Sequence, residues 1–215
     1  SYGKSNSYSI SESGTFNGDP FNLVSNPNEF LNKIFWGSTD DPLEAIRVNA
    51  SNSESESEGQ SLSANASLQV NRRLNNQGRN ITFRGTFSYG DNDSEQFSES
   101  LTRYFDDNAK KEDDERKQYT TSPTKSYDYT AELTYSEPIA RATFLQFRYK
   151  FQYKYSESDR STYSLIPDAD KGQDWFWNFG DGLPEGYEEN KDRDLSKYAQ
   201  YKYYNHDINA GLNII

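Results

Sequence analysis

The strongest constraint on this chain is a two-residue alternation of apolar and polar side chains. In residues 61–71, every second position is apolar: Leu62, Ala64, Ala66, Leu68 and Val70. The positions between them hold serine, asparagine and glutamine. Successive side chains of a β-strand point to opposite faces, so this pattern predicts a strand with one apolar and one polar face.

The same alternation recurs in four later segments, at residues 81–89, 127–135, 145–155 and 204–214. The serine-rich segment Tyr2 to Phe16 alternates weakly, and we interpret it as a poorer strand of the same sheet. Asn and Gly in residues 72–79 predict a hairpin turn near Asn75, and Ser136 to Pro138 predict another. The sequence therefore predicts an all-β fold, an antiparallel up-and-down meander of about six strands.

The predicted connections are alternately short and long. The links from about Asn17 to Glu58, Asn92 to Thr124 and Ser158 to Lys197 run to tens of residues. Transmembrane barrels have short periplasmic turns and long extracellular loops, whereas compact soluble domains seldom contain such loops. The sequence also contains 17 Tyr among 215 residues, and tyrosine is typical of the aromatic girdles at the lipid boundary of such barrels. A soluble antiparallel sheet, half-buried against another layer, explains the alternation equally well and stays open as the alternative.

Composition excludes several functional classes. The net charge of −11 disfavours a nucleic-acid partner, because phosphate binding needs a basic face. Cysteine is absent, so there is neither a disulfide framework nor a thiolate metal site. No apolar run approaches the roughly 20 residues of a membrane-spanning helix. The chain begins at Ser1 and contains no Met, from which we expect an interior or processed piece of a longer protein.

Four segments resemble one protein family. They are RRLNNQGRNITFRGTFSYGDNDSEQ (72–96), TKSYDYTAELTYSEPI (124–139), FLQFRYKFQYKYSESDRSTY (144–163) and LSKYAQYKYYNHDINAGLNI (195–214). All are similar to the barrel region of TonB-dependent receptor-like outer-membrane proteins. The resemblance implies residues 1–215 are a partial outer-membrane barrel domain, without plug and remaining strands. It further implies a plug domain, an inner-membrane energy-coupling complex, outer-membrane lipid and a nutrient ligand of unknown identity as partners.

Aromatic residues in the predicted long loops are the candidates for ligand binding: Trp36, Trp175, Phe176 and Trp177. Exposed rings beside acidic and amide groups suit a sugar- or peptide-binding surface. The competing interpretation is that the loop packs its own aromatics into a small local core, as compact long loops do. The spacing of Phe30, Leu31, Ile34 and Phe35 predicts a short amphipathic helix in the first loop, which would pack with the Trp175 cluster.

Charged and polar residues outside the loops have simpler interpretations. Asp91, Asp93 and Glu95 offer calcium-type oxygen ligands without a known motif spacing, and a solvated strand end is the preferred interpretation. The run Asp106 to Lys117 predicts a solvated loop face, for which a helix is one conformation; a bridge to lipopolysaccharide through divalent ions is the alternative.

The alternation also assigns side chains to faces of the sheet. Four bases on the polar face are expected to pair with Asp128 and Glu132: Arg84, Arg148, Lys150 and Lys154. His206 is expected at an aromatic girdle position. Because Tyr201 and Tyr203 are out of phase with residues 204–214, a bulge or a change of environment is expected near Tyr203.

Two functional hypotheses follow. The first is a segment of a TonB-dependent receptor-like barrel, in the outer membrane of a Gram-negative bacterium, that binds and imports a nutrient. The alternative is a non-transporting outer-membrane or surface-exposed protein with a structural or adhesive role. The sequence contains no catalytic arrangement, phosphate loop or dinucleotide motif, so we predict no enzyme activity, no cofactor and no metal.

Overall fold

The computed structural model describes residues 1–31, 41–105 and 112–214, which form one antiparallel β-sheet. The strands are β1 (Tyr2–Phe16), β2 (Arg47–Arg73), β3 (Asn80–Tyr104), β4 (Glu112–Thr121), β5 (Thr124–Ala140), β6 (Thr143–Ser164) and β7 (Lys191–Ile214). Short 3₁₀ helices lie at Pro20–Asn22, Pro27–Phe30, Glu44–Ile46, Ala169–Lys171 and Tyr187–Asn190. None of the described helices has the length and apolar composition to cross a membrane. The prediction of an all-β antiparallel fold is confirmed.

Seven strands occupy six positions in the sheet, because β4 and β5 lie end to end between β3 and β6. They are separated at Ser122 and Pro123, where proline has no N–H to continue the ladder. Hydrogen bonds still cross this break: the Ser122 N–H donates to the Ser94 carbonyl at 2.8 Å, and the Asp159 N–H donates to the Pro123 carbonyl at 3.1 Å. The alternation in the sequence predicted β5 but did not predict β4.

Strand register brings the alternating side chains onto two continuous faces. One cross-strand row contains Val70, Phe83, Leu133, Tyr149 and Ile208, and we call the face with this row the apolar face. On the opposite face, the polar face, one row contains Arg84, Glu132, Lys150 and Asp207. Opposite charges therefore alternate across neighbouring strands, an arrangement that stabilises a sheet.

The apolar face has a wide region that no other part of the described chain covers. We call this region the apolar band; it runs from the row of Leu145 to the row of Tyr155 on β6 and includes the facing residues of the neighbouring strands. Ile208 is 79% exposed, Leu68 58% and Phe147 47%. Tyr153 is buried only by its own sheet neighbours, since its ring lies 4.7 Å from that of Tyr204 and 5.0 Å from that of Tyr129.

The long loops are shorter than predicted, because strands continue far beyond the apolar segments. β2 already begins at Arg47 and β3 reaches Tyr104. The described part of the acidic run that was predicted to be a loop or helix, from Glu112 onward, belongs to β4. In these extensions most positions on both faces are polar, so no hydrophobic alternation marks them. Backbone pairing and serine pairs hold them instead, such as Ser7–Ser57 and Ser9–Ser55, each at 2.8 Å.

Both predicted tight turns exist, but one is displaced. The Asn75 side-chain carbonyl accepts hydrogen bonds from the N–H groups of Gln77 and Arg79, at 3.0 and 2.9 Å, and so holds the first turn. The second turn lies at Arg141 and Ala142, beyond the Ser136–Pro138 segment expected to form it. Pro138 is accommodated within β5 because the ladder is irregular between Pro138 and Ala140.

Of the two possibilities expected near Tyr203, the bulge is wrong, and the register shows the change of environment, since Tyr201 and Tyr203 lie on the polar face. The β6–β7 ladder is continuous there, and its irregularity lies between Arg160 and Thr162. Two of the predicted charge pairs are confirmed, Arg84–Glu132 at 3.6 Å and Lys154–Asp128 at 3.3 Å.

Candidate ligand-binding cluster at the loop end of the sheet

The loop at residues 165–190 folds back onto the apolar face, at the end of the sheet away from the Asn75 turn. Trp177 is only 2% exposed and forms a small core with Tyr119 and Leu165. Its ring stacks on Phe97, with centroids 6.1 Å apart and planes inclined by 12°, and it meets Phe179 edge-on at 6.1 Å. We call these five residues the loop cluster. For Trp177, the interpretation of a local aromatic core is confirmed.

A local turn sets which rings of the loop point inward. The Asp181 carboxylate accepts a hydrogen bond from the Asn178 N–H at 2.9 Å, and the Asp181 N–H donates back to the Asn178 carbonyl at 3.0 Å. Gly180, between them, has φ +89°, a conformation that glycine adopts without strain. This turn reverses the chain directly after Trp177, which leaves Trp177 buried and the preceding Phe176 74% exposed.

Lys117 connects the loop to the sheet, and the sequence analysis did not single it out. Its ammonium group donates to the Trp177 carbonyl at 3.3 Å and lies 4.9 Å from the centre of the Phe176 ring. It also pairs with Glu115 at 3.0 Å and Glu99 at 3.5 Å. Burial lowers the pKa of Lys117, but the two carboxylates outweigh it and the net pKa is raised. The ammonium stays charged and joins β3, β4 and the loop.

Tyr119 forms the floor of the cluster on β4. Its ring lies 4.8 Å from that of Phe97 and meets Tyr187 edge-on at 5.7 Å. Burial, followed by a hydrogen bond to Glu95, raises the pKa of Tyr119 well above its ordinary value. The phenol therefore stays neutral, which is the form that a largely aromatic surrounding favours.

Two hydrogen-bond donors of the loop have no protein partner. The indole N–H groups of Trp175 and Trp177 are buried and unpaired within the described residues. Beside the cluster lies a cavity of about 170 Å³ lined by Glu56, Glu58, Glu95 and Phe97. This combination of aromatic planes, carboxylates and one exposed ring suits a neutral or cationic ligand better than an anionic one.

No family model matches this chain, and neither does any curated protein or solved structure. The resemblance to TonB-dependent receptor-like barrels therefore stays a prediction from the sequence.

Of the other candidate ligand-binding residues, two are described by the structure and one is not. Trp175 is half-buried beside the loop cluster and Phe176 is exposed at its rim. Trp36, with Ile34 and Phe35, lies outside the described residues, so its proposed packing against Trp175 stays a prediction. Of the helix expected around Phe30, the described part is the 3₁₀ turn Pro27–Phe30.

The acidic residues of β3 do not form a metal site in this structure. Within the three described ranges, no group of three or more acidic or histidine side chains is arranged to hold a metal ion. Asp91 instead accepts a hydrogen bond from the Tyr89 hydroxyl at 2.9 Å.

Proposed function

We propose that this chain is part of the wall of an outer-membrane β-barrel of the TonB-dependent receptor-like kind, which binds and imports a nutrient. The observation that carries the proposal is the apolar band, a surface that spans β2, β3, β5, β6 and β7 without any described covering layer. A soluble sheet would have to bury this surface against a second layer, since large exposed apolar patches are rare on soluble monomers.

The dimensions of the band support a lipid-facing role. Ten residue steps separate Leu145 from Tyr155 on β6, and they correspond to about 33 Å along a strand. Tilting the strand by roughly 40° reduces this to about 25 Å, the height of the apolar band in outer-membrane barrels.

The upper boundary of the band has the composition expected at a lipid–water interface. The upper rows of the band are rich in tyrosine on neighbouring strands, including Tyr89, Tyr127 and Tyr155. The next row upward contains Asp91, Lys125 and Glu157. Tyrosine belts flank the apolar region of membrane proteins, and charged side chains follow outside it.

Orientation follows from the connections. Short turns at residues 74–79 and 141–142 lie at one end of the sheet, whereas the described residues 17–31 and 41–46 of the first loop, and the loop at residues 165–190, lie at the other. Barrels of the bacterial outer membrane place short turns in the periplasm. The loop cluster would then be at the cell surface, where a receptor meets its ligand.

The alternative of a non-transporting structural or adhesive surface protein is favoured by one observation. β2 has 27 residues and β3 has 25, whereas a tilted crossing needs about 9–11. Both strands would extend well above the membrane as a stiff wall, and most rings of the long loop are used to pack against it.

Single-cysteine labelling of the full-length protein in intact cells tests the topology, since this chain has no cysteine of its own. A cysteine at Phe176 should react with a membrane-impermeant maleimide in intact cells, and one at Asn76 only after the outer membrane is opened. Labelling of both positions in intact cells would contradict the orientation.

Import is tested separately by deleting the inner-membrane energy-coupling complex. Cells that depend on this protein for growth on a nutrient should lose that growth while the protein still reaches the outer membrane. Unchanged growth would favour the non-transporting alternative.

A further inference from the structure

The tyrosines that interrupt the alternation of β7 lie beside a cavity on the polar face. Tyr201 and Tyr203 project to this face, and their rings are stacked with centroids 6.4 Å apart and planes inclined by 8°. Tyr201 borders a cavity of about 420 Å³. This volume is within the range of small-molecule sites, and neither tyrosine contributes to the apolar band or to the loop cluster.

The cavity is formed by two adjacent rows of the sheet. One row crosses four strands through Gly90, Ser126, Ser156 and Tyr201, and the other through Ser88, Asp128, Lys154 and Tyr203. Strand spacings of about 4.8 Å make the rectangle roughly 14 Å wide. Small residues on β3, β5 and β6 form a low floor, and Tyr201 on β7 rises beside it as a wall, with Tyr203 stacked against Tyr201 outside the lining.

Gly90 keeps the floor open. A Cβ atom at this position would lie 3.0 Å from the Ser126 hydroxyl oxygen, so any side chain here would project into the cavity. The serine hydroxyls on the floor can each donate and accept hydrogen bonds. The floor therefore offers polar contacts without bulk.

The charges of the cavity are balanced. Lys154 pairs with Asp128 at 3.3 Å, and the Gln152 amide donates to the same carboxylate at 3.2 Å. Both members of the pair are partly exposed and keep free hydrogen-bonding capacity. A neutral ligand with many hydroxyl groups can use that capacity without separating the two charges.

We propose that these two rows form a binding subsite for a neutral saccharide, whose ring stacks on Tyr201 and whose hydroxyl groups bond Asp128, Lys154 and the serine floor. A saccharide has an apolar ring face that stacks on an aromatic side chain and hydroxyl groups around its edge that form hydrogen bonds. An ion lacks the apolar face, and an apolar molecule lacks the hydroxyl groups. The location of the subsite in the barrel lumen rests on the proposed function. The subsite adds a ligand class, neutral saccharides, to the proposed receptor.

Saturation-transfer NMR on the full-length protein tests the proposal, with purification in a sugar-free detergent such as lauryldimethylamine oxide. The probes are maltose, cellobiose, lactose, sucrose and raffinose, with glucosamine, galacturonic acid and triglycine as charged or peptide comparisons. At least one neutral saccharide should bind saturably, and Tyr201→Ala should weaken that binding about tenfold or more.

Two further variants keep the result interpretable. Gly90→Val fills the floor with a strand-forming residue and should abolish binding without touching the tyrosine wall. Tyr198→Ala is the matched control, because Tyr198 is on the same strand and equally exposed, 57% against 55% for Tyr201, but belongs to the apolar face. It should leave the affinity unchanged.

Three results would overturn the saccharide subsite. They are the absence of binding by every neutral saccharide, binding that Tyr201→Ala leaves intact, and Tyr201-dependent binding of the peptide or a charged sugar alone. Each can occur while labelling still supports a membrane wall. Failure of the membrane proposal would instead be detected by probes on the apolar face of the sheet.

Discussion

Replacing Trp177 by alanine should open the loop at residues 165–190 without unfolding the sheet. Trp177 is 2% exposed and contacts Phe97 and Phe179, and truncating a buried aromatic residue costs about 3–5 kcal/mol. The loop contacts the strands mainly through this cluster. We therefore expect the lost free energy to act on local opening of the loop.

Hydrogen exchange with mass spectrometry measures this opening directly. A loss of about 3 kcal/mol raises the opening equilibrium roughly 100-fold, so peptides from residues 165–190 should lose most of their protection. Leu165 is an informative reporter, because its N–H donates to the Lys117 carbonyl at 2.7 Å. Peptides from β5 and β6 below the loop should be unchanged.

Phe176→Ala is the matched control. Phe176 is adjacent in sequence and also aromatic, but it is 74% exposed and its one charged contact is with the Lys117 ammonium at 4.9 Å, so its truncation should change protection by at most about 1 kcal/mol. Equal effects of the two substitutions, or unchanged protection in the Trp177 variant, would refute the local core.

Three other predictions concern charge. Asp41→Asn should destabilise the first loop by about 3–5 kcal/mol in hydrogen exchange, because the Asp41–Arg47 pair at 2.9 Å is almost fully buried and Arg47 would keep an uncompensated charge. Glu137→Gln should shift the midpoint of denaturant unfolding only slightly, since the Arg79–Glu137 pair at 2.6 Å is partly solvated. Burial raises the pKa of Tyr119, so the contribution of the neutral phenol to stability is complete below tyrosine's ordinary pKa of about 10 and is lost as the pH rises through the higher folded pKa. The near-ultraviolet circular dichroism of the loop tryptophans should therefore be constant up to about pH 10 and fall above it. The Tyr119→Phe variant should keep this signal to a higher pH.

The sequence predicted those strands whose two faces differ in polarity. β6 is identifiable because Phe147, Tyr149 and Phe151 alternate with Arg148 and Lys150. In a half-exposed sheet, this alternation is the pattern that register and burial require. The assignment of faces and two of the charge pairs on the polar face were predictable for the same reason, whereas the tight turn at Asn75 was predictable from its Asn and Gly residues.

The upper part of the sheet was not predictable from periodicity. The Ser-Glu repeat of residues 51–58 is polar at every position, and its strand conformation depends on pairing with β1 and β3. β4 was hidden in the same way, because its acidic and basic residues follow a charge pattern that also suits a solvated loop. Long-range backbone pairing fixes these segments, and their local sequence contains little trace of it.

The candidate site was predicted in location but not in composition. Trp175, Phe176 and Trp177 form one side of it, as the aromatic run in the third loop indicated. Their partners Phe97 and Lys117 come from β3 and β4, which are distant from the loop in sequence and lie beneath it in the fold.

The central claim is that the apolar band faces lipid. Single nitroxide labels on β6 of the full-length protein in bilayers test it, with oxygen and a water-soluble nickel complex as relaxation agents. Labels at Phe147, Tyr149 and Phe151 should be accessible to oxygen and protected from nickel, and those at Arg148 and Lys150 should show the reverse. Labels on the first set that are accessible to nickel, or shielded from both agents by a packed protein layer, would contradict the account.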